Sequence, residues 1–598
     1  MKKVIRIGNA GGYWGDDLDA LRRQLTGGPL DYITMDFLAE ITMSILRKQQ
    51  LKNPELGYAA DFLTQLETCL PLIVAKNVKV ITNAGGVNPV GLGRRIQDLA
   101  RRLGYEIKVG VVYGDDIAGE LYEQMAAGEK FTNMETGAEF GGVRHRIIAA
   151  NVYLGAEPVV AALEAGCQII VTGRVTDTGI TLAPMIHEFG WAMDDWDRLA
   201  AGIVAGHIIE CGAQGSGGNI TDWQDVPSFH DIGYPIIAME RSGEFTVTKH
   251  PRTGGLVAEK SVKEQLVYEM GDPAQYISPD GVAFFNTIRV RDEGRDRVRI
   301  SGVRGGPAPA MFKVSMAYDD GWKAEGEVLI SGPGVAAKAE AVTEIFWRKV
   351  GHTFDKTSTA LVGAGSIWPE RLADYEPNEA YLRFGVCDHD LAKINAFSKA
   401  LPALILAGPS GMAVSTRGRP RPQQVVAYWP ALMRRDGVVA KVLTLAADGA
   451  EDFQEIHFPL RGAGGEPVRS DEPRAARPAF KAAGNLKSVP LRRLCYARSG
   501  DKGDTCNIGV LARSPRIYAW LLRNLTAGVV KRFFKGQVHG RVTRFELDNL
   551  EGLNFLLEGS LGGGGTTSLL VDPQGKTLSQ ALLELEVRVP VGLLRGIR

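Results

Sequence analysis

The run Cys495-Tyr496-Ala497-Arg498-Ser499-Gly500-Asp501-Lys502-Gly503-Asp504-Thr505-Cys506-Asn507-Ile508-Gly509 sets two cations, two carboxylates, two aliphatic hydroxyls and three glycines between apolar flanks. Packing alone does not call for such a stretch. Glycine lets a backbone bend sharply and approach a ligand closely. Arg498 and Lys502 are of the type that meets a phosphate or carboxylate, with Ser499 beside them. Asp501 or Asp504 can hold a hydroxyl, a proton or a hard cation. The run reads as a loop between two strands, and its bland alternative is a solvated hairpin whose Asp501 and Lys502 face water. Gly562 to Gly565 form a second anion-friendly loop or a flexible turn.

Four segments in the first third of the chain offer related chemistry. Gly8-Asn9-Ala10-Gly11-Gly12 follows a strand and precedes helix-like sequence, so the N–H groups near Gly11 and Gly12 can face an anion, with Asp16 as an acid/base candidate. The segment lacks G-x-G-x-x-G and a Walker lysine. Asp36 stands where a ribose-binding acid would stand in a dinucleotide fold, but without that fingerprint the simpler role is capping the next helix. Asn83-Ala84-Gly85-Gly86-Val87-Asn88-Pro89 ends a buried strand. Asn83, Gly85, Gly86 and Asn88 can line a carboxylate or thioester oxygen, or form a plain turn with an Asn cap and Pro89 at the first helical position. Thr172-Gly173-Arg174-Val175-Thr176-Asp177 sets a cation for an anionic substrate beside an acid or base, the alternative being an internal Arg174–Asp177 pair with Asp177 as helix cap.

Glu210 to Asn219 carries four glycines, Cys211, Ser216 and Asn219. Cys211 lies four residues after His207, a spacing that fits a nucleophile and base as well as a shared helix face around an inert thiol. A substrate-binding loop containing Ser216 and Asn219 is the preferred reading. No H-x-H, H-E-x-x-H or cysteine cluster is present, so no motif requires a cofactor. Zinc is disfavoured, and magnesium is compatible with the aspartates at 16, 17, 115, 116, 501 and 504.

These loops need a scaffold that gathers them. From Met1 to about 218, apolar runs at Val4 to Gly8, Tyr32 to Met35, Val78 to Thr82, Ile107 to Val112 and Gln168 to Thr172 alternate with amphipathic segments. Asp36 to Lys48 and Val90 to Leu103 read as helices, the second with Ile96, Leu99, Ala100 and Leu103 on one face. That alternation predicts a doubly wound, mostly parallel α/β sheet whose carboxyl-end loops share one edge, where ligands bind. From 219 to 460 the pattern turns antiparallel, with hairpin signals at Glu293-Gly294, Asp319-Asp320-Gly321 and Arg435-Asp436-Gly437 and helices at Lys338 to Val350 and Asp390 to Leu401. Glycines and prolines from 461 to 487 read as a linker. From 488 to 598 the order of strand, loop, strand, helix (Arg516 to Phe534), strand and a helix near Leu553 predicts a small α+β domain.

The 598 residues exceed a single core, and 45% hydrophobic with 23% charged residues is ordinary globular composition. The 69 basic residues balance the 69 acidic ones, which gives no basic stripe for nucleic acid. No long apolar run predicts a membrane span, and the N-terminus reads as a first strand rather than a signal peptide. The six scattered cysteines suit reduced thiols in the cytoplasm. A homo-oligomer is expected from the habits of such enzymes.

The loop Gly11-Gly12-Tyr13-Trp14-Gly15-Asp16-Asp17, the stretch Asp36 to Thr42, Asn83 to Pro89 and Thr172 to Asp177 occur in the order of one family. Over residues 3 to 455 the chain resembles the acyclic terpene utilisation family, AtuA. Around Ala497 to Gly503, over residues 488 to 590, it resembles that family's ferredoxin-fold C-terminal partner. The resemblance implies a place in bacterial catabolism of citronellol- and geraniol-type compounds, whose intermediates are branched acyl-CoA thioesters. The expectation is an enzyme acting on a small carboxylate or branched acyl-CoA by lyase or hydratase chemistry, with Asp16, Arg174 and Asp177 at its centre. The alternative is a noncatalytic ligand-binding or scaffold subunit that partners a separate acyl-CoA enzyme.

Overall fold

The computed structural model describes residues 2–38, 40–368, 376–414, 418–460, 467–471, 477 and 484–595, so most of the expected linker lies outside the described residues. The chain condenses into two compact units: Met1–Ala317 with Trp429–Arg477 and Phe545–Gly552, and Tyr318–Tyr428 with Pro478–Arg544 and Leu553–Arg598.

The first unit is built on β1 (Val4–Asn9), α1 (Ala20–Gly27), β2 (Tyr32–Met35), α2 (Glu40–Lys52), α3 (Asp61–Lys76), β3 (Lys79–Thr82), α4 (Pro89–Leu103), β4 (Val109–Tyr113), α5 (Leu121–Ala126), β5 (Ile147–Val152), α6 (Glu157–Glu164), β6 (Ile169–Thr172), α7 (Asp177–Phe189) and α8 (Trp196–Ile209). Strands β1, β2, β3, β6 and β4 lie side by side in parallel, with Ile7 beside Tyr32, Thr34 beside Ile81, Thr82 beside Val171 and Val112 beside Thr172. Antiparallel strands extend both edges to make eleven in all. One of them, Val439–Leu445, pairs with β4 and delivers Leu443 and Leu445 to the apolar cluster under α1, α3 and α4. On the opposite face α7 packs against β1 and β2, and α6 against β4 and β6. Both faces are therefore covered, which is why these strands read as continuous apolar runs.

Local chemistry sets the boundaries. In α4 the side chains of Leu92, Ile96, Leu99 and Ala100 are buried, Asn88 accepts from the Gly91 N–H at the cap, Pro89 takes the first turn, and Gly104 ends the helix at φ 76°. Leu103, expected on the buried face, is exposed at the last turn. Helix α2 begins at Glu40 rather than Asp36, because the Asp36 N–H donates to the Gly11 carbonyl and its carboxylate accepts from the Leu38 N–H, which holds this stretch out of helix.

Other expectations are corrected. Glu293-Gly294 does turn a hairpin between Arg289–Asp292 and Val298–Ser301. Asp319 to Gly321, however, lie inside one long strand, Met311–Ser331, where Gly321 at φ 85° provides a kink. Arg435 to Gly437 form a 3-10 turn, but the next strand joins β4 instead of folding back.

The second unit contains the helix Val335–Val350 packed with Phe346, Phe384 and Phe397 in one aromatic-rich core. Its C-terminal part carries a four-stranded sheet, as expected of an α+β fold, in which Cys495–Lys502 and Thr505–Ala512 pair antiparallel. The segment Arg516 to Phe534 is two helices, Pro515–Asn524 and Ala527–Phe533, because Thr526 opens a new cap by accepting from the Val529 N–H. The expected helix near Leu553 is the strand Gly552–Leu557, in which Leu553, Phe555 and Leu557 alternate into the core. Among the described residues no helix is long and apolar enough to cross a membrane.

Candidate functional site

The chain moves steadily across the sheet from β1 to β4 and then returns to insert β6 between β3 and β4. The helix after β3 and the helix after β6 consequently pack on opposite faces, which opens the crest between their two loops. Those loops touch: a Cβ on Gly85 would sit 2.5 Å from the Thr172 carbonyl oxygen.

A connected set of buried polar groups occupies this crest. Asn83 donates its amide to Asp36 Oδ1 at 2.6 Å and accepts from the Phe37 N–H at 2.7 Å. Arg174 Nη1 donates to the Leu38 carbonyl at 2.8 Å and to Asp177 Oδ1 at 3.0 Å, while its guanidinium lies 4.3 Å from the Tyr153 ring centre. The Arg174 N–H and the Asn151 amide both donate to Asp115 Oδ2, at 2.9 and 2.8 Å. The Arg174 side chain is 4% exposed and that of Asp177 is 29% exposed, so Asp177 opens the network to solvent. It is the first residue of α7, whose cap is Thr176 rather than Asp177.

Burial raises both inner carboxyls. Asp36 is driven well above the usual carboxylate range by desolvation and by the charge of Asp177, against the pull of Arg174 and the Asn83 hydrogen bond. Asp115 is pushed up to about 6 by desolvation, which its hydrogen bonds from Arg174 and Asn151 only partly offset. Buried carboxyls with raised proton affinity grouped around one arginine are a mark of acid/base sites.

The first loop sits beside the glycine-rich segment after α8. A Cβ on Gly12 would lie 2.5 Å from the Cys211 carbonyl carbon. Asp16 binds this junction together: it accepts from the Gly12 and Asp17 N–H groups at 2.8 Å each and from the Tyr234 hydroxyl at 2.6 Å. Gly11 donates its N–H to Asn9 Oδ1, so the amides read as anion donors are engaged within the loop. Gly86 donates its N–H to the Asn83 carbonyl, and Asn88 donates its side-chain amide to the Pro54 and Leu56 carbonyls. Ser216 is buried and donates to the Gly233 carbonyl, whereas Asn219 is exposed, at φ 58°. His207 directs Nδ1 to Glu210 Oε1 at 3.2 Å and Nε2 to the Gln265 carbonyl at 3.1 Å, and its ring packs on Tyr276 and Phe285. Cys211 is the one cysteine of six that is not buried.

The run Cys495 to Gly509 belongs to the second unit. They form a tight hairpin, Cys495–Lys502 paired with Thr505–Ala512, rather than a loop. The strand is covered on both faces up to Gly500, so consecutive Arg498 and Ser499 are buried, while Lys502 is exposed beside the turn. Ser499 accepts from the Ser579 N–H at 3.0 Å, and Asp501 lies 3.3 Å from the Lys576 ammonium. Asp504 accepts from the Leu561 and Gly563 N–H groups, which shapes the Gly562 to Gly565 turn.

Sequence reading missed Asn151, Tyr153 and Tyr234, and assigned Asp115 only as a cation ligand. A lone asparagine within the apolar run Ile147 to Leu154 was the available signal. Among the described residues no three His, Cys, Asp or Glu side chains are placed to hold a metal ion.

Comparison with protein families places this geometry in context. The model described as acyclic terpene utilisation family protein AtuA matches residues 5–444, and the AtuA ferredoxin-like domain matches residues 489–588. No curated protein matches the chain.

Proposed function

The chain belongs to the acyclic terpene utilisation family AtuA, with its ferredoxin-like domain at the C-terminal end, and from that premise we propose a catabolic enzyme that acts on a small carboxylate or branched acyl-CoA by lyase or hydratase chemistry. The family name points to acyclic terpene utilisation. The supporting observation is the pair of carboxyls whose proton affinity burial raises, Asp36 and Asp115, set around Arg174 with Asp177 at the solvent side. Adding or removing water, or cleaving a carbon–carbon bond beside a carbonyl, needs one group to take a proton and another to give one. In this reading Asp177 takes a proton from substrate, Asp36 gives up the proton it already holds, and transfer of the proton from Asp177 to Asp36 resets the pair. Arg174 is a positioning residue that fixes Asp177 through its bond to Oδ1. Asp16, with both carboxylate oxygens engaged, shapes the first loop.

The test is to incubate purified protein with a panel of branched acyl-CoAs and hydroxy acids and to follow products by mass spectrometry, with thermal shift as a binding readout. Turnover of at least one member is expected. Absence of both turnover and thermal shift across the panel would remove the reading.

A further inference from the structure

A cleft of about 240 Å³ lies at the carboxyl ends of β3 and β4, lined by Asn88, Val90, Tyr113, Asp115, Glu120 and Lys441 among others. Lys441 comes from the added strand Val439–Leu445, where it pairs across from Tyr113 on one side and Glu455 on the other. It is half-buried, and among the described residues its ammonium makes no hydrogen bond or ion pair. Arg47 stands 3.5 Å from Asp116 on this rim and already answers that carboxylate. Glu120 is exposed and has no ion-pair partner among the described residues. Of the three lining carboxyls Asp115 and Asp116 are already engaged, by the Arg174 N–H and by Arg47, so the cleft offers Lys441 as a cation that only donates and Glu120 as the carboxylate left to accept.

A ligand that suits both has an anionic end for Lys441 and an O–H for Glu120. Multiply charged phosphate groups would meet Lys441 but crowd against Asp116 and Glu120. At ~30 Å³ per water the space holds roughly eight waters, the size of a small acid. Asp115 lines the cleft and holds the Arg174 N–H, so a ligand here adjoins the acid/base network.

We propose that this cleft binds a free small hydroxycarboxylate, with Lys441 as the residue that grips its carboxylate; the inference rests on the crest being the reactive site and narrows the substrate to the free acid over the thioester. Isothermal titration of the full chain tests it with 3-hydroxy-3-methylbutanoate, its CoA thioester, 3-methylbutanoate and inorganic phosphate as probes. The hydroxy acid is expected to bind most tightly. Lys441→Ala should weaken it by roughly tenfold or more, the loss expected for one charge-assisted contact, and Lys441→Arg should recover most of that loss. Glu120→Gln should reduce the preference for the hydroxy acid over 3-methylbutanoate. An absent hydroxy-acid signal, an unchanged dissociation constant in Lys441→Ala, or equal binding of thioester or phosphate would overturn the inference. Melting curves of each variant separate lost binding from lost folding. Turnover that ignores Lys441 would remove this cleft and spare the catalytic reading. Lys441-dependent binding without turnover of any panel member would do the reverse.

Discussion

At the scale of single residues, Asp115 carries the clearest consequence. Its carboxyl ordinarily titrates near 3.8 and is pushed up to about 6 in the fold. A raised carboxyl pKa means the folded state holds its proton more tightly than the unfolded chain. The favourable contribution is therefore complete below pH 3.8 and is lost as the pH rises through about 6. Asp115→Asn keeps an oxygen to accept from the Arg174 N–H and from Asn151, yet cannot ionise. Relative to the parent, the variant should gain about 2 kcal/mol of stability between pH 4 and pH 7, read by urea denaturation at each pH. A stability difference that stays flat across that window would show that Asp115 does not titrate with folding. None of this was legible in the sequence. Asp115 follows a strand end, as many surface aspartates do, and only the approach of Asn151 and Arg174 makes it a buried acceptor.

At the scale of elements, the strands and their glycine- and asparagine-rich endings were legible because parallel strands covered on both faces leave uninterrupted apolar runs. The loop between β3 and α4 shows what those glycines do. Gly85 lies where a Cβ would be 2.5 Å from the Thr172 carbonyl and 2.6 Å from Pro89 Cβ, so the two crest loops can meet only without a side chain there. Gly85→Ala should cost about 1–3 kcal/mol in chemical denaturation. A loss under about 0.5 kcal/mol would mean that the loops are not in this contact. The hairpin at Cys495–Lys502 was harder to read. Its charges suggested a loop, but Cys495 to Gly500 are buried without a break and only the end beside the turn, at Lys502, reaches solvent, so no period-two pattern marks the strand and its residue types are rare in strands. Likewise Leu553, Phe555 and Leu557 carried a strand signal that their flanking polar residues obscured.

At the scale of the whole molecule, the compact units are discontinuous in sequence, so chain order does not map simply onto structure. The strand Val439–Leu445 lies beyond Tyr318–Tyr428, yet it completes the sheet begun at Val4 and supplies Lys441 to its crest. Residues Phe545–Gly552 also join the first unit, where Asn549 donates to the Phe285 and Ile288 carbonyls at 2.9 and 2.8 Å. No local pattern announces such returns, because they depend on which edge strand finds an unpaired neighbour. The proposed acid/base centre belongs to this scale, since segments far apart in the chain gather Asp36, Asp115, Arg174 and Asp177. Its most direct measurement is single-turnover product formation by Asp177→Asn beside the parent, on whichever panel compound turns over, with equal melting temperatures confirmed first. The account predicts a rate lower by roughly 100-fold or more, whereas a variant within about twofold of the parent would contradict it.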